Sequence, residues 1–349
     1  MDTPQIESRP QPRCLLCGSG GRVIYSDLPD RCYDAPGKWG LRQCSNSNCG
    51  LVWLDPQPTP ADIGKAYSGY YTHNQPEPGA ALLRDICWAV WHSYLGVRFG
   101  YRQGVGPAWR RILAPLALLH PGGRDELDAA AMHLPAPGRP ARVLDVGCGS
   151  GVALARMQGF GWQVEGVDLD AGAVKSAKAR GVSVRLGMVE EQKYAENTFD
   201  AVYSSHVIEH VHDPVSMLRE CHRILKPGGT LVIITPNIES WGHAYFRSAW
   251  LNLDPPRHLF VFNSTNLRRA AETVGFNVAT LRSSPRSGWV YGALSRQIRR
   301  TGRGEMAELG KPLNLLYGIL YQWRQRLKLI SNPKAGDELL LIARKPETL

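Results

Sequence analysis

The chain has 349 residues, of which 43% are hydrophobic, and a formal net charge of +10. That length and apolar content suffice for a sizeable core and exclude a small scaffold that needs disulfide staples. No basic head followed by an apolar run opens the chain, so no secretory signal is expected. With eight cysteines, several at metal-ligand spacing, a reducing cytoplasm is the expected compartment.

The first expected element is a metal-binding head. Cys14-Leu-Leu-Cys17-Gly18 is followed by Cys44-Ser-Asn-Ser-Asn-Cys49-Gly50. A turn of this kind aims two thiolates at one point, and Cys14, Cys17, Cys44 and Cys49 together would close a tetrahedral structural zinc site. The second pair is spaced by four residues where two is usual, and unrelated buried thiols are the alternative. Cys32 lies outside both turns. Residues 1–60 are expected to form this zinc module and a linker, rich in proline and tyrosine as far as Tyr71.

Residues 61–138 are expected to form a helical cap. Apolar residues recur at helical spacing at Leu82, Leu83, Ile86, Val90 and Tyr94, then at Ile112, Leu116 and Leu119. Trp88, Trp91 and Trp109 fit either an acceptor pocket or core packing.

The most specific stretch is Val143-Leu-Asp-Val-Gly-Cys-Gly-Ser-Gly151, an apolar strand that breaks into a glycine-rich loop and then a helix. Asp145 stands at the carboxyl end of that strand, and Val164-Glu-Gly-Val-Asp168 ends in a second acid one helix later, where a ribose-binding carboxylate is expected. Phe199–Pro214 and Arg223–Asn237 continue the pattern of strand, loop and strand. In this order the motifs resemble those of class I S-adenosylmethionine-dependent methyltransferases, over about residues 139–284. The resemblance implies a Rossmann-like fold, a doubly wound seven-stranded α/β sheet. It also implies a cofactor site in which Asp145, Gly147 and Gly149 surround the methionine end, Asp168 holds the ribose hydroxyls, and Met188 and Val189 flank the adenine, with Cys148, Leu169 and Ser204 as further cofactor-binding residues. Cys148 is read as a small loop residue with no base beside it.

Histidines cluster after the fourth core strand: His206, Glu209, His210 and His212, with His258 following in Trp250–Phe260. A histidine that is neutral near pH 7 suits proton removal from an acceptor hydroxyl, so His210 and His258 are the expected catalytic residues. His206-x-x-Glu209-His210 also matches a zinc-protease pattern, which a strand-to-helix loop cannot serve because the two histidines would not share a helix face. The loop resembles that of ubiquinone-pathway O-methyltransferases, in which Glu-x-x-Glu-His binds a divalent cation; His206 stands here in place of the first glutamate.

Residues 285–335 are expected to be a basic insertion before the last core strand in 336–349. From Arg282 to Lys334 there are eleven lysines and arginines against Glu305 and Glu308. Leu313–Ile330 reads as an amphipathic helix, too charged to span a bilayer. It would either lie on an anionic membrane surface, peripheral to its inner face, or cover the core with its basic side in solvent. Nucleic acid is the weaker partner, since no RNA-binding motif accompanies the charge. The head resembles the zinc-binding segment of deoxysugar C-methyltransferases. The expected activity is therefore O-methylation of a small-molecule, sugar or lipid-linked glycan acceptor in polysaccharide biosynthesis, with a quinol, an RNA base or a non-catalytic adaptor role as alternatives.

Overall fold

The computed structural model describes residues 5–67, 81–102 and 108–347, without the side chains of 81–88, 108–111 and 113. The expectations placed on Leu82, Leu83, Ile86, Trp88 and Trp109, and on the linker's last residues, 68–71, lie outside what is described. The chain divides into two compact units: Met1–Tyr70 with His206–Leu218 and Ile233–Leu341, and Tyr71–Ser205 with Arg219–Val232 and Ile342–Leu349.

In chain order, the head holds β1 (Ser8–Arg9), β2 (Gly21–Leu28), β3 (Trp39–Cys44), β4 (Val52–Leu54) and β5 (Gln57–Pro58). Leu51, Val52, Trp53 and Leu54 are fully buried, so the first part of the expected linker is core strand. Helices α1 (Ala81–Phe99) and α2 (Gly123–Ala129) follow. Then come β6 (Arg142–Val146), α3 (Val152–Gly159), β7 (Gln163–Asp168), α4 (Ala171–Ala179), β8 (Ser183–Leu186), β9 (Phe199–Ser205), α5 (Pro214–Ile224) and β10 (Leu225–Pro236). The chain ends through α6 (Trp241–Phe246), β11 (Phe260–Val261), α7 (Ser264–Thr273), β12 (Asn277–Ser284), α8 (Gly288–Thr301), α9 (Pro312–Ser331) and β13 (Glu338–Arg344).

The seven-stranded sheet has the order β12-β13-β10-β9-β6-β7-β8. Strand β6 pairs in parallel with both β7 (Asp145↔Gly166) and β9 (Val146↔Ser204). The chain therefore winds outward from β6 to β8 and returns to its other side, which makes the carboxyl end of β6 the switch point where doubly wound sheets bind ligands. Continuous apolar runs explain the central strands: Val143 and Leu144 on β6 and Leu231–Ile234 on β10 are at most 1% exposed, as suits strands covered on both faces.

The head is not a separate body. Its sheet has the order β11-β4-β3-β2, and β11, more than 200 residues downstream, pairs with β4 through Phe260↔Trp53 and Val261↔Val52. An expected boundary at residue 60 therefore cuts through one packed unit.

Candidate functional site

The glycine loop after β6 folds back over the end of β7, where the amides of Gly147 and Cys148 donate to the carbonyl of Val167 (2.8 and 3.2 Å). Gly147, Gly149 and Gly151 all have positive φ (76°, 53° and 74°), a conformation that costs a residue with Cβ. The last two serve different ends. A Cβ on Gly151 would sit 2.8 Å from Ala177 and Val182, so this glycine lets α3 start close to α4. A Cβ on Gly149 would meet nothing within 4 Å, which leaves open space over the loop.

Two acids stand near the carboxyl ends of the adjacent strands β6 and β7. Asp168 Oδ2 accepts the amide of Gly149 (2.7 Å) and Oδ1 that of Asp170 (2.9 Å), so the carboxylate is fixed while keeping lone pairs for further donors. Asp145 is 4% exposed. Burial, and then the charge of Asp168, raises its pKa well above the usual range, and burial also raises that of Asp168. On β9 the Ser204 hydroxyl is buried without a hydrogen-bond partner. An orphaned hydroxyl and two acids held above their ordinary pKa suit a polar ligand that donates to them. Leu169, next to Asp168 in the chain, and Met188 are exposed apolar side chains, whereas Val189 is buried. Cys148 Sγ packs where a Cβ on Gly166 would stand, and burial pushes its thiol up, so it is a filler of the loop and not a nucleophile.

The other unit gathers the histidines. His206 to His210 form a turn and no helix, with His206 in the left-handed region (φ 57°), which removes the zinc-protease reading. His206 lies between two buried carboxylates, Nδ1 3.1 Å from Glu209 Oε1 and Nε2 2.9 Å from Glu338 Oε1. Burial opposes its charge, but both carboxylates outweigh burial and raise its pKa to about 9. Glu338 also binds Arg286 (Nε to Oε2, 2.7 Å) and Tyr291. His206 is thus the centre of a charged strut.

His210 and His258 meet edge to face, with ring centroids 4.7 Å apart. His210 Nδ1 is 3.0 Å from the carbonyl of Arg257 and 3.0 Å from the hydroxyl of Tyr67, and His258 Nδ1 is 2.8 Å from the carbonyl of Asn252. A carbonyl only accepts, so both Nδ1 atoms carry hydrogen, and His258 Nε2 lies 4.0 Å from Asp254 Oδ2. Burial, then the charge of His258, lowers the pKa of His210 to about 4, which leaves it neutral at pH 7. The segment is anchored by Arg257, fully buried, whose guanidinium binds Asp30 (2.7 and 2.9 Å) and Asp254 (2.9 and 2.6 Å). Donor atoms of Glu209, His210 and His258 lie within 4.8 Å of one another, a spacing one cation could bridge. Both oxygens of Glu209 are already engaged, however, by His206 and by the Thr235 hydroxyl (2.9 Å). His212 is committed elsewhere, to the carbonyl of Pro58 (2.8 Å). Sequence reasoning missed Tyr67, Glu338 and Arg286, which carry no local motif and reach this loop only through the fold.

In the head, the sulfurs of Cys14, Cys17, Cys44 and Cys49 converge within 4.8 Å of one another, with Cys14 to Cys49 at 3.7 Å and Cys17 to Cys44 at 3.4 Å. A tetrahedral zinc with bonds of about 2.3 Å spaces its sulfurs by about 3.8 Å, so the set fits one such ion. The longer second spacing is absorbed by a turn in which the amides of Cys49 and Gly50 donate to the carbonyl of Asn46. Cys32 is not in the group.

Residues 121–281 match the family model described as a methyltransferase domain. A ubiquinone biosynthesis O-methyltransferase of Xanthomonas campestris is 38% identical over 136 residues, which cover 37% of this chain and 56% of that protein. A probable S-adenosylmethionine-dependent methyltransferase of Mycolicibacterium smegmatis is 33% identical over 138 residues, covering 39% and 52%. The chain spans about half the length of these curated relatives. Among solved structures, an S-adenosylmethionine-dependent methyltransferase from Mesorhizobium loti aligns with a TM-score of 0.42 at 21% identity, over 64% of this chain and 100% of that one.

Proposed function

We propose that this chain, which carries a class I S-adenosylmethionine-dependent methyltransferase domain, methylates a hydroxyl oxygen on a phenolic, quinol-type acceptor. The carrying observation is the pair of imidazoles, His210 and His258, each fixed at Nδ1 by a backbone carbonyl, with His210 held neutral so that its Nε2 keeps a lone pair. S-adenosylmethionine supplies an electrophilic methyl carbon on a good leaving group. The protein then has to align the acceptor oxygen and accept its proton. His210, with its pKa lowered to about 4, is a weak base. A phenol, with a pKa of about 10, loses its proton to such a base far more readily than an unactivated hydroxyl such as that of water, at about 16. This favours a phenol over the sugar acceptor expected from the head, and the names of the relatives point the same way.

In the cradle, Asp168 would hold the ribose hydroxyls, Gly149 would leave room for the ligand, and Ser204 and Asp145 would accept or donate at its polar end. One structural zinc on Cys14, Cys17, Cys44 and Cys49 belongs to the same proposal.

Methyl incorporation from labelled S-adenosylmethionine into a catechol-type phenol, a nucleotide sugar and RNA tests the acceptor. The phenol is expected to be labelled, with turnover falling about a hundredfold or more in either His210→Ala or His258→Ala and cofactor affinity unchanged. Label in the sugar or RNA alone, or full turnover in both variants, would overturn the reading.

A further inference from the structure

Helix α9 packs the wrong way round for a helix that merely covers a core. Its buried residues are Gly318, Tyr321, Gln322 and Gln325, a small and polar set. A Cβ on Gly318 would lie 2.3 Å from the Trp289 carbonyl of α8, and one on Gly292 would lie 2.3 Å from Tyr321, so the packed face is fixed by two close approaches. Tyr321 donates to Asp337 (2.7 Å) and Gln322 to the carbonyl of Pro285 (2.9 Å). These contacts turn a small, polar face of α9 inward, while Arg324 and Lys328 are exposed.

What faces outward is a stripe at three- and four-residue intervals: Leu313, Leu316, Leu320, Trp323, Leu327 and Ile330. All six are exposed, and Leu313 and Ile330 are 76% and 82% exposed. At 3.6 residues per turn they occupy roughly 100° of the helix, opposite the buried set. Arg324 and Lys328 border one side of the stripe and Arg326 the other. Arg326 lies over the ring of Trp323 (5.1 Å), and Arg296 of α8 over that of Tyr317 (4.4 Å). No acidic residue occurs between Pro312 and Ser331.

We propose that this face of α9 docks in the plane of an anionic lipid bilayer, with the stripe among the acyl chains and the arginines and Lys328 against headgroup phosphates. Charge decides between lipid and a second copy of the chain. Paired copies of α9 would offer Arg324, Arg326 and Lys328 no acidic partner in either orientation, whereas phosphates offer one to each. Trp323 and Tyr317, each beside an arginine, are the residue types that settle at a bilayer interface. The helix does not cross: no described helix is long and apolar enough. The inference rests on α9 and α8 alone and stands whichever acceptor is methylated.

Flotation of the full chain with vesicles tests it. Equimolar phosphatidylcholine and phosphatidylglycerol should carry the protein upward, with affinity about a hundredfold above that for phosphatidylcholine alone, from three cations near the surface. The triple variant Leu316→Glu, Leu320→Glu, Leu327→Glu, checked for an unchanged unfolding midpoint, should stay at the bottom. Should the triple variant not fold, Arg324→Ala with Lys328→Ala is expected to lose most of the preference for the anionic vesicles. Wild-type protein that fails to float at low salt, or a folded triple variant that floats as well as wild type, overturns the proposal. A wild-type dimer that the triple variant converts to monomer, with neither floating, assigns the stripe to a second copy instead.

Discussion

His206 and His210 stand four residues apart and are driven in opposite directions, one to a pKa of about 9 and the other to about 4. The difference is in their neighbours. Both are half-buried, but His206 has a carboxylate on each ring nitrogen, whereas His210 has a carbonyl, a tyrosine hydroxyl and a second imidazole. Since the folded pKa of His206 is raised above its ordinary 6.5, its contribution to stability is complete below pH 6.5 and is lost as pH rises through about 9. The wild-type unfolding free energy should therefore fall by about 3 kcal/mol over that window, and His206→Gln should flatten the slope. Denaturant titrations at a series of pH values check this, and equal slopes for the two proteins would show that His206 is not charged in the fold. The sequence alone marked these histidines as a cluster and supplied His258 as a second member. It could not separate the charged strut from the His210–His258 pair, because Glu338 and Arg286 lie 132 and 80 residues from His206.

At the scale of elements, the two cysteine turns were legible because a knuckle is local: two thiols, a glycine and a few amides. Gly18 and Gly50 both adopt positive φ (71° and 60°) after their cysteine pairs, as the turns require. The sheet that carries them was not legible, since its fourth strand is only Phe260–Val261, two residues too few to leave a periodic signal. In α9 the apolar and basic residues were both visible, and their periodicity indicated a helix. Which face packs was decided by Gly318 against Trp289 and Gly292 against Tyr321, close approaches across two helices that no single-segment pattern records. Metal analysis should find one zinc per chain, lost in the double variant Cys14→Ala, Cys44→Ala and retained in Cys32→Ala, with the unfolding midpoint falling only in the first. Protein purified without chelator that contains no zinc would remove the metal from the head.

Over the whole molecule, the order β12-β13-β10-β9-β6-β7-β8 places the glycine loop at the switch point of the sheet. This was the most legible level, because the strand-ending acids Asp145 and Asp168 and the loop between them occupy one short stretch of chain. The division into units was the least legible: residues of the head group with His206–Leu218 and Ile233–Leu341, so one body is assembled from three distant stretches. Calorimetric titration of the purified chain with S-adenosylmethionine bears most directly on the cradle. One site per chain is expected, with affinity reduced at least about tenfold in Asp168→Ala through loss of charged hydrogen bonds to the ribose. A wild-type chain that takes up no S-adenosylmethionine, or an Asp168→Ala variant that binds it unchanged, would contradict the assignment.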